Sequence, residues 1–258
     1  MHNIIILMIK KRIEMIKNKK AFTLAEVLIT LGVIGVVAAL TLPALISKYE
    51  EVVMVNKLKR TYSELANAIE MRKAELGTSD YSEQFNPKYT AAEQLDGFIK
   101  YLNVVERCSS TSNGCGGKDK IILPKRKTND GFGNIQQEKL GSKERAILND
   151  GTIVYMGQKN YSGDCMVTYM SYEKDENGNY IKQEDGELVP KPYQAQQCAE
   201  IFFDINGDKK RNQYGYDCYS FTVTPNKVNQ HIGYGEIYNT MRTGKLTYEK
   251  YSPNEKFK

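Results

Sequence analysis

Two kinds of apolar pattern follow one another in the N-terminal part of the chain. The first runs from Val27 to Ile46, twenty residues without a charged side chain. A helix of that length rises by about 30 Å, which is the thickness of the hydrocarbon core of a bilayer. This run therefore predicts a membrane-spanning helix.

Beyond Ile46 the apolar residues recur at intervals of three, four and seven, and charged residues fill the positions between them. The recurring residues are Val55, Leu58, Tyr62, Leu65, Ile69 and Leu76. Such spacing is typical of a helix with one apolar face. Together the two patterns predict one helix from near Phe22 to near Leu76, ended at Gly77. We expect the apolar stripe to pack on the protein's own sheet, and contact with neighbouring subunits is the alternative.

The second half of the chain has the shorter patterns of β-strands. Residues 146–157 predict a hairpin around Asn149-Asp150-Gly151, and 165–172 predict another strand. Residues 199–205 predict a buried strand that pairs with 218–224. A short helix is predicted over 90–103. A long helix followed by antiparallel strands gives an α+β fold.

The net charge of +5 is concentrated at the N-terminus. Residues 1–21 hold six basic side chains and one acidic side chain, which already gives +5. The other 237 residues hold 30 basic (36 − 6) and 30 acidic (31 − 1) side chains. Positive charge directly before an apolar helix holds that end of the helix in the cytoplasm. The basicity therefore indicates membrane topology, and nucleic-acid binding is not indicated.

A single carboxylate, Glu26, stands at the edge of the apolar run. A carboxylate in an apolar helix is unfavourable without a partner. Glu26 ends the motif Phe22-Thr23-Leu24-Ala25-Glu26, which follows a basic segment and the small residue Ala21. This stretch resembles the processing site and N-terminal helix of type IV prepilins and of type II secretion pseudopilins, in which Gly35 and Pro43 also have counterparts. The family usually has glycine in place of Ala21, so this alanine implies slower cleavage.

The resemblance implies a division of the chain and a role for several residues. The implied parts are a leader (1–21), a transmembrane and assembly helix (22–46), its amphipathic continuation (47–77) and a globular pilin-like α+β domain (78–258). A prepilin peptidase would cut after Ala21 and methylate Phe22. Glu26 would then pair with the new amine of its own chain or of a neighbour. Pro43, which lacks a backbone N–H, should kink the helix or loosen a turn.

On this resemblance we expect a structural subunit of a type IV pilus-like filament. It would enter the cytoplasmic (inner) membrane as a single pass with its N-terminus in the cytoplasm, and then join a periplasmic or extracellular filament. Its expected partners are further copies, other pilin-like subunits, the prepilin peptidase, the inner-membrane assembly machinery and the lipid bilayer.

Two alternatives stay open at the level of the sequence. One is a pseudopilin of a type II secretion or competence system. The other is an unprocessed, membrane-anchored ectodomain that binds a ligand or acts as an enzyme. Translation could also begin at Met1, Met8 or Met15, since residues 15–21 alone form a short basic leader.

The segment from Asp204 to Cys218 carries oxygen-bearing side chains at alternating positions. The candidate calcium ligands are Asp204, Asn206, Asp208 and Asp217. Gly215 stands where an EF-hand would carry glutamate, so an EF-hand is excluded. The segment resembles the loop between C-terminal strands of many pilins and pseudopilins, some of which bind calcium. Calcium is therefore the one cofactor to consider, and a structural turn held by Asp and Asn side chains is the alternative.

All five cysteines lie after the apolar run, in the part of the chain expected outside the cytoplasm, where disulfides form. Cys108 and Cys115 enclose a small polar loop and are the first predicted pair. Cys165 and Cys198 form the second predicted pair, provided that 165–172 and 191–198 pair antiparallel. Cys218 would then be free, although the sequence cannot choose among the possible connectivities.

Catalytic patterns are missing from the sequence. Its two histidines are His2 and His231, and it has no nucleophile–histidine–acid set, Walker loop or dinucleotide-binding glycine motif. We therefore expect a protein that is not an enzyme.

Overall fold

The computed structural model describes residues 6–8, 10, 22–111, 125–127, 135–137, 140, 143–157, 163–207, 213–230 and 236–248. The chain divides into two units, Met1–Glu50 and Glu51–Lys258. Each unit is described by itself. The finer divisions expected at residues 21, 46 and 77 stay predictions.

Helix α1 spans Leu24–Leu76, a length of 53 residues. Its part in the first unit is exposed almost throughout. Among the described helices, α1 alone is long and apolar enough to cross a membrane, by the criteria of length and composition. The helix continues through Pro43 without interruption, and the kink expected there stays a prediction. Gly77, with a φ of 65°, follows the last helical residue as expected.

The second unit adds two shorter helices and ten strands in its described residues. The helices are α2 (Ala91–Ile99) and α3 (Ile237–Thr243). The strands are β1 (Val104–Cys108), β2 (Lys125–Lys127), β3 (Ile135–Gln137), β4 (Glu144–Leu148), β5 (Ile153–Gly157), β6 (Met166–Tyr172), β7 (Pro190–Gln196), β8 (Ala199–Asp204), β9 (Cys218–Val223) and β10 (Val228–Gln230).

The main sheet has the order β1-β4-β5-β8-β9-β10, and every neighbouring pair in it is antiparallel. β4 and β5 form the predicted hairpin, with Gly151 at a φ of 82° in the turn. All six residues of β8 are buried, and β8 pairs with β9 as predicted. A long helix before an antiparallel sheet confirms the α+β, pilin-like prediction.

The apolar stripe of α1 packs on the protein's own sheet in the second unit. Its buried residues are Val55, Leu58, Thr61, Leu65, Ala68 and Ile69. Tyr62 is half-buried and meets Phe221 of β9 edge to face, with 6.1 Å between the ring centroids. Leu95 and Phe98 of α2 are fully buried in the same core. The preferred interpretation of the stripe is thus confirmed.

The strands β6 and β7 form a separate two-stranded sheet. They pair antiparallel in the register that places Met166 opposite Gln196 and Tyr172 opposite Pro190. The chain between them turns back twice through isolated bridges at 174/180 and 182/188. We call residues 163–198 the arm. The sequence predicted its first strand, but it did not show that the arm stands apart from the main sheet.

Candidate functional site

The start of α1 holds the charged residue that the sequence singled out. The backbone N–H and the hydroxyl of Thr23 each donate to Glu26 Oε2 over 2.9 Å, and the N–H of Glu26 donates to Thr23 Oγ1 over 3.2 Å. Thr23 directly precedes the first helical residue, so this reciprocal set is a capping box. It satisfies N–H groups that have no partner within the helix, and it places a negative charge at the positive end of the helix dipole.

The capping box also fixes where the carboxylate of Glu26 points. Phe22 is 83% exposed and directly precedes Thr23, whose N–H holds the carboxylate. An amine created at Phe22 would therefore lie one residue from a group that already contacts Glu26. Ala21, the expected cleavage position, lies outside the described residues. In the part of the chain that the structure describes, no cationic side chain forms an ion pair with Glu26.

The sequence analysis did not predict the capping role of Thr23, which it named only as part of the motif from Phe22 to Glu26. The signal was available, because threonine followed three residues later by glutamate before an apolar run is the usual signature of a capping box. The same signature occurs at Thr90 and Glu93, and it caps α2 in the same way.

The loop between β8 and β9 brings together three of the four predicted calcium ligands. Asn206 Nδ2 donates to Asp217 Oδ2 over 3.1 Å, and Asp204 Oδ1 accepts the N–H groups of Asn206 and Gly207 at 2.9 Å each. All three side chains are at least nine-tenths buried. Asp208 lies outside the described residues. The loop packs closely on the β4–β5 turn, since a Cβ on Gly207 would lie 2.5 Å from Gly151 O.

Two oxygen atoms in this loop have no hydrogen-bond partner among the residues that the structure describes. They are Asp204 Oδ2 and Asn206 Oδ1, and both are buried. Burial, and then the neighbouring carboxylate of Asp217, raise the pKa of Asp204 well above its usual value. Within the described residues no group of three or more His, Cys, Asp or Glu side chains could hold a metal. Two carboxylates and an amide oxygen nevertheless fit the oxygen chemistry of calcium in kind.

One of the two predicted disulfides lies wholly within the described residues. A disulfide joins Cys165 to Cys198 at the base of the arm, and the strands beside it pair antiparallel as that pairing required. Cys108 is disulfide-bonded, while Cys115, its expected partner, lies outside the described residues. Cys218 is a free, buried cysteine. Burial, and then the carboxylates of Asp204 and Asp217, raise the pKa of its thiol.

Comparison with known proteins bears on the first of these sites. Residues 16–42 match the family model described as the prokaryotic N-terminal methylation motif. This is the cleavage and methylation signal of prepilins and pseudopilins. No curated protein and no solved structure matches the chain.

The chain thus carries the signal of a prepilin-like, processed subunit of a type IV pilus or a related system. Such a signal implies a structural subunit rather than an enzyme, and processing by a prepilin peptidase. Together with the apolar part of α1, it fits a protein anchored in the inner membrane. The match covers no part of the globular domain.

Proposed function

We propose that this chain is a structural subunit of a type IV pilus-like filament. The peptidase removes residues 1–21, Phe22 becomes a methylated N-terminus, and the subunit leaves the membrane to join the growing filament. The observation that carries this proposal is the position of Glu26, which precedes twenty uncharged residues and whose carboxylate accepts the N–H of Thr23, the residue next to Phe22.

The proposed role of Glu26 follows from the energetics of charge in an apolar medium. An isolated carboxylate or ammonium group is unfavourable there, and the attraction between the two grows as the dielectric constant falls. Pairing of Glu26 with the amine of Phe22, on its own chain or on a neighbour, therefore favours subunits that dock in one register. Repetition of that contact gives an open helical assembly, with the apolar helices at its centre.

The experiment that tests this role replaces Glu26 by valine. Glu26→Val keeps the apolar length of the helix, so we expect normal membrane insertion and no incorporation into filaments. Cells are fractionated to measure insertion, and sheared surface fibres are probed for this chain. Normal filament yield from the variant would remove the charge-pairing role.

We also propose that the β8–β9 loop binds calcium, through Asp204 Oδ2, Asn206 Oδ1 and the carboxylate of Asp217. The two unpartnered buried oxygens support this proposal, since buried polar atoms rarely lack partners. Bound calcium would supply positive charge to the acidic pair and hold the loop in place. A ligand at about 100 times its Kd stabilises the folded state by about 2.7 kcal/mol.

Thermal unfolding of the full chain in detergent tests calcium binding without any functional assay. We expect calcium to raise Tm relative to EGTA, and Asp204→Asn to abolish the difference. The matched control is Asp175→Asn, which alters a carboxylate that closes an exposed turn in the arm. An equal Tm with calcium and EGTA would leave the loop as a structural turn.

The pseudopilin alternative differs from the main proposal in the assembly formed. A pseudopilin would build a short periplasmic fibre, and calcium binding would favour that alternative. Recovery of this chain from long sheared surface filaments would argue against it.

A further inference from the structure

The two strands of the arm pair only with each other among the described strands. The direction of their backbone groups follows from two bonds at the ends of the ladder. Gln197 N–H donates to Cys165 O over 2.6 Å, and Glu173 N–H donates to Val189 O over 2.9 Å. Because backbone direction alternates along an antiparallel strand, odd-numbered residues of β6 face β7 and even-numbered residues face outward.

The outer edges of the two strands therefore differ. On β7 the outward positions include Pro190 and Pro192, which have no N–H to offer. On β6 the outward positions include Thr168, Met170 and Tyr172, and none of the described strands pairs with their backbone N–H and C=O groups. Proline is a common means of blocking an exposed strand edge. The arm is thus blocked along β7 and open along β6.

The sequence of β6 is also suited to strand pairing. Its seven residues, MVTYMSY, contain no charged residue, no proline and no glycine. Strand-forming residues without charge are the composition that most readily adds a further strand at an open edge. Met170 is 62% exposed and Tyr172 is 38% exposed, so apolar surface accompanies the open backbone.

The charge of the arm distinguishes the two orientations in which a second copy of β6 could pair with the first. Residues 173–189, beyond the end of β6, hold six acidic residues and two lysines, a net charge of −4. A second β6 in parallel orientation would place two such segments side by side, where they repel. In antiparallel orientation the two acidic segments lie at opposite ends, and only uncharged residues face one another.

We propose that β6 of one subunit pairs antiparallel with β6 of a second copy of this chain. Centring the pairing on Tyr169 uses all seven residues, with Thr168 opposite Met170 and Met166 opposite Tyr172. Thr168, Met170 and Tyr172 of each copy then donate their N–H groups across the contact, while Met166 N–H already donates to Asp164 over 2.9 Å. The opposition of methionine and tyrosine adds a favourable sulfur–aromatic contact.

This contact has a consequence for assembly. It uses the same surface on both copies, so it closes after two copies and cannot extend a filament. It joins a subunit of one filament to a subunit of a neighbouring filament, side by side. The joining of filaments rests on the proposed filament function, whereas the pairing of two arms does not.

Cysteine cross-linking in intact cells tests the pairing. Tyr169 would lie opposite its counterpart as a non-hydrogen-bonded pair, with Cα atoms about 4.5 Å apart, which is within disulfide range. The full chain with Tyr169→Cys should give covalent dimers on non-reducing gels. The matched control is Tyr193→Cys, which removes the same Tyr169–Tyr193 ring stack but lies on the blocked strand. Dimers from both variants, or from neither, would overturn the proposal.

A second pair of variants guards against misfolding of the first. Met170→Lys places a charge on the open edge, and Pro192→Lys places the same charge directly opposite it on the blocked strand. We expect loss of filament bundles in electron micrographs, with single filaments retained, for Met170→Lys alone. Bundles that persist in Met170→Lys, or disappear equally in both, would overturn the contact. If no filaments form at all, the filament function fails, and the cross-linking result still decides whether the arms pair.

Discussion

The chain uses the same helix cap twice, once at the start of α1 and once at the start of α2. Thr23 and Glu26 are joined by bonds of 2.9, 2.9 and 3.2 Å. Thr90 and Glu93 are joined by the same three bonds at 2.8, 2.9 and 3.2 Å. Even the spacing and the residue before the glutamate, an alanine, are the same.

The two caps differ only in what surrounds them. Glu93 begins a helix of nine residues that docks Leu95 and Phe98 into the core of the globular domain. Glu26 is followed by twenty residues without charge and lies within the matched methylation motif, residues 16–42. The geometry of Glu26 is therefore fully explained by capping, and a further role has to come from its charge in apolar surroundings. Variants that keep the cap and remove the charge separate the two.

The largest expected effect comes from Glu26→Gln compared with Glu93→Gln. Glutamine also serves in a capping box, so both variants keep their caps and lose one charge. We expect Glu26→Gln to lower filament incorporation at least about tenfold, since each 1.4 kcal/mol of lost pairing is a factor of ten. Glu93→Gln should incorporate normally. Quantitative blotting of sheared fibres measures both.

Equal incorporation of the two glutamine variants would mean that the two glutamates have the same role. Glu26 would then be a cap and nothing more, and the proposed pairing with Phe22 would be wrong.

A smaller effect is expected on stability from Thr23→Ala and Thr90→Ala. Loss of an N-cap side chain typically reduces stability by about 1 kcal/mol. Thr90→Ala should lower the free energy of unfolding of the globular domain by about that amount, because α2 belongs to its core. Thr23→Ala should leave that free energy within about 0.5 kcal/mol of the parent value. The two variants are compared by urea denaturation of the full chain in detergent, monitored by the near-UV circular dichroism of its tyrosines.

The smallest effect concerns a third exposed carboxylate, Glu75, which does have cationic partners in its own chain. Lys100 Nζ at 2.5 Å, then Arg72 Nη1 at 2.6 Å and the hydroxyl of Tyr101, lower the pKa of Glu75 to about 2 from an ordinary 4.5. Because the pKa is lower in the folded state, the stabilisation is complete above pH 4.5 and disappears as the pH falls towards 2.

Comparison of the urea midpoints of parent and Glu75→Gln at pH 6 and pH 3 measures this titration. The two proteins should differ at pH 6 and differ less at pH 3, where the carboxyl of Glu75 is protonated in the unfolded state but still ionised in the folded state. The change should be small because Glu75 is exposed. A difference that does not change with pH would mean that Glu75 acts through packing alone. Glu26 has no such partner among the described residues, which is why we propose the amine of Phe22 as its partner.

The sequence predicted those helices and turns whose signal lies in residues close together along the chain. The stripe from Val55 to Ile69 predicted a helix that packs on the sheet, and Asn149-Asp150-Gly151 predicted a hairpin turn. β10 and α3 were missed, because a strand of three residues and an uncapped helix of seven carry too short a pattern. The separateness of the arm was missed because alternation along a strand is the same whichever strand it pairs with.

The two candidate sites also differ in how far the sequence could predict them. Glu26 was found from the motif around it, which is contiguous in the sequence. The burial of Asp204 depends on strands that are distant in the sequence, since Asp204 pairs with Ile153 of β5, some fifty residues earlier in the chain, and with Cys218 of β9. A pattern of neighbouring residues in the sequence does not predict pairing between such distant strands.

The most direct test is the mass of the N-terminal peptide of the protein isolated from cells. We expect a peptide that begins with N-methylated Phe22. A protein that still carries Lys19 and Lys20 ahead of Phe22 would have no new amine for Glu26 to meet, and that result would contradict the account.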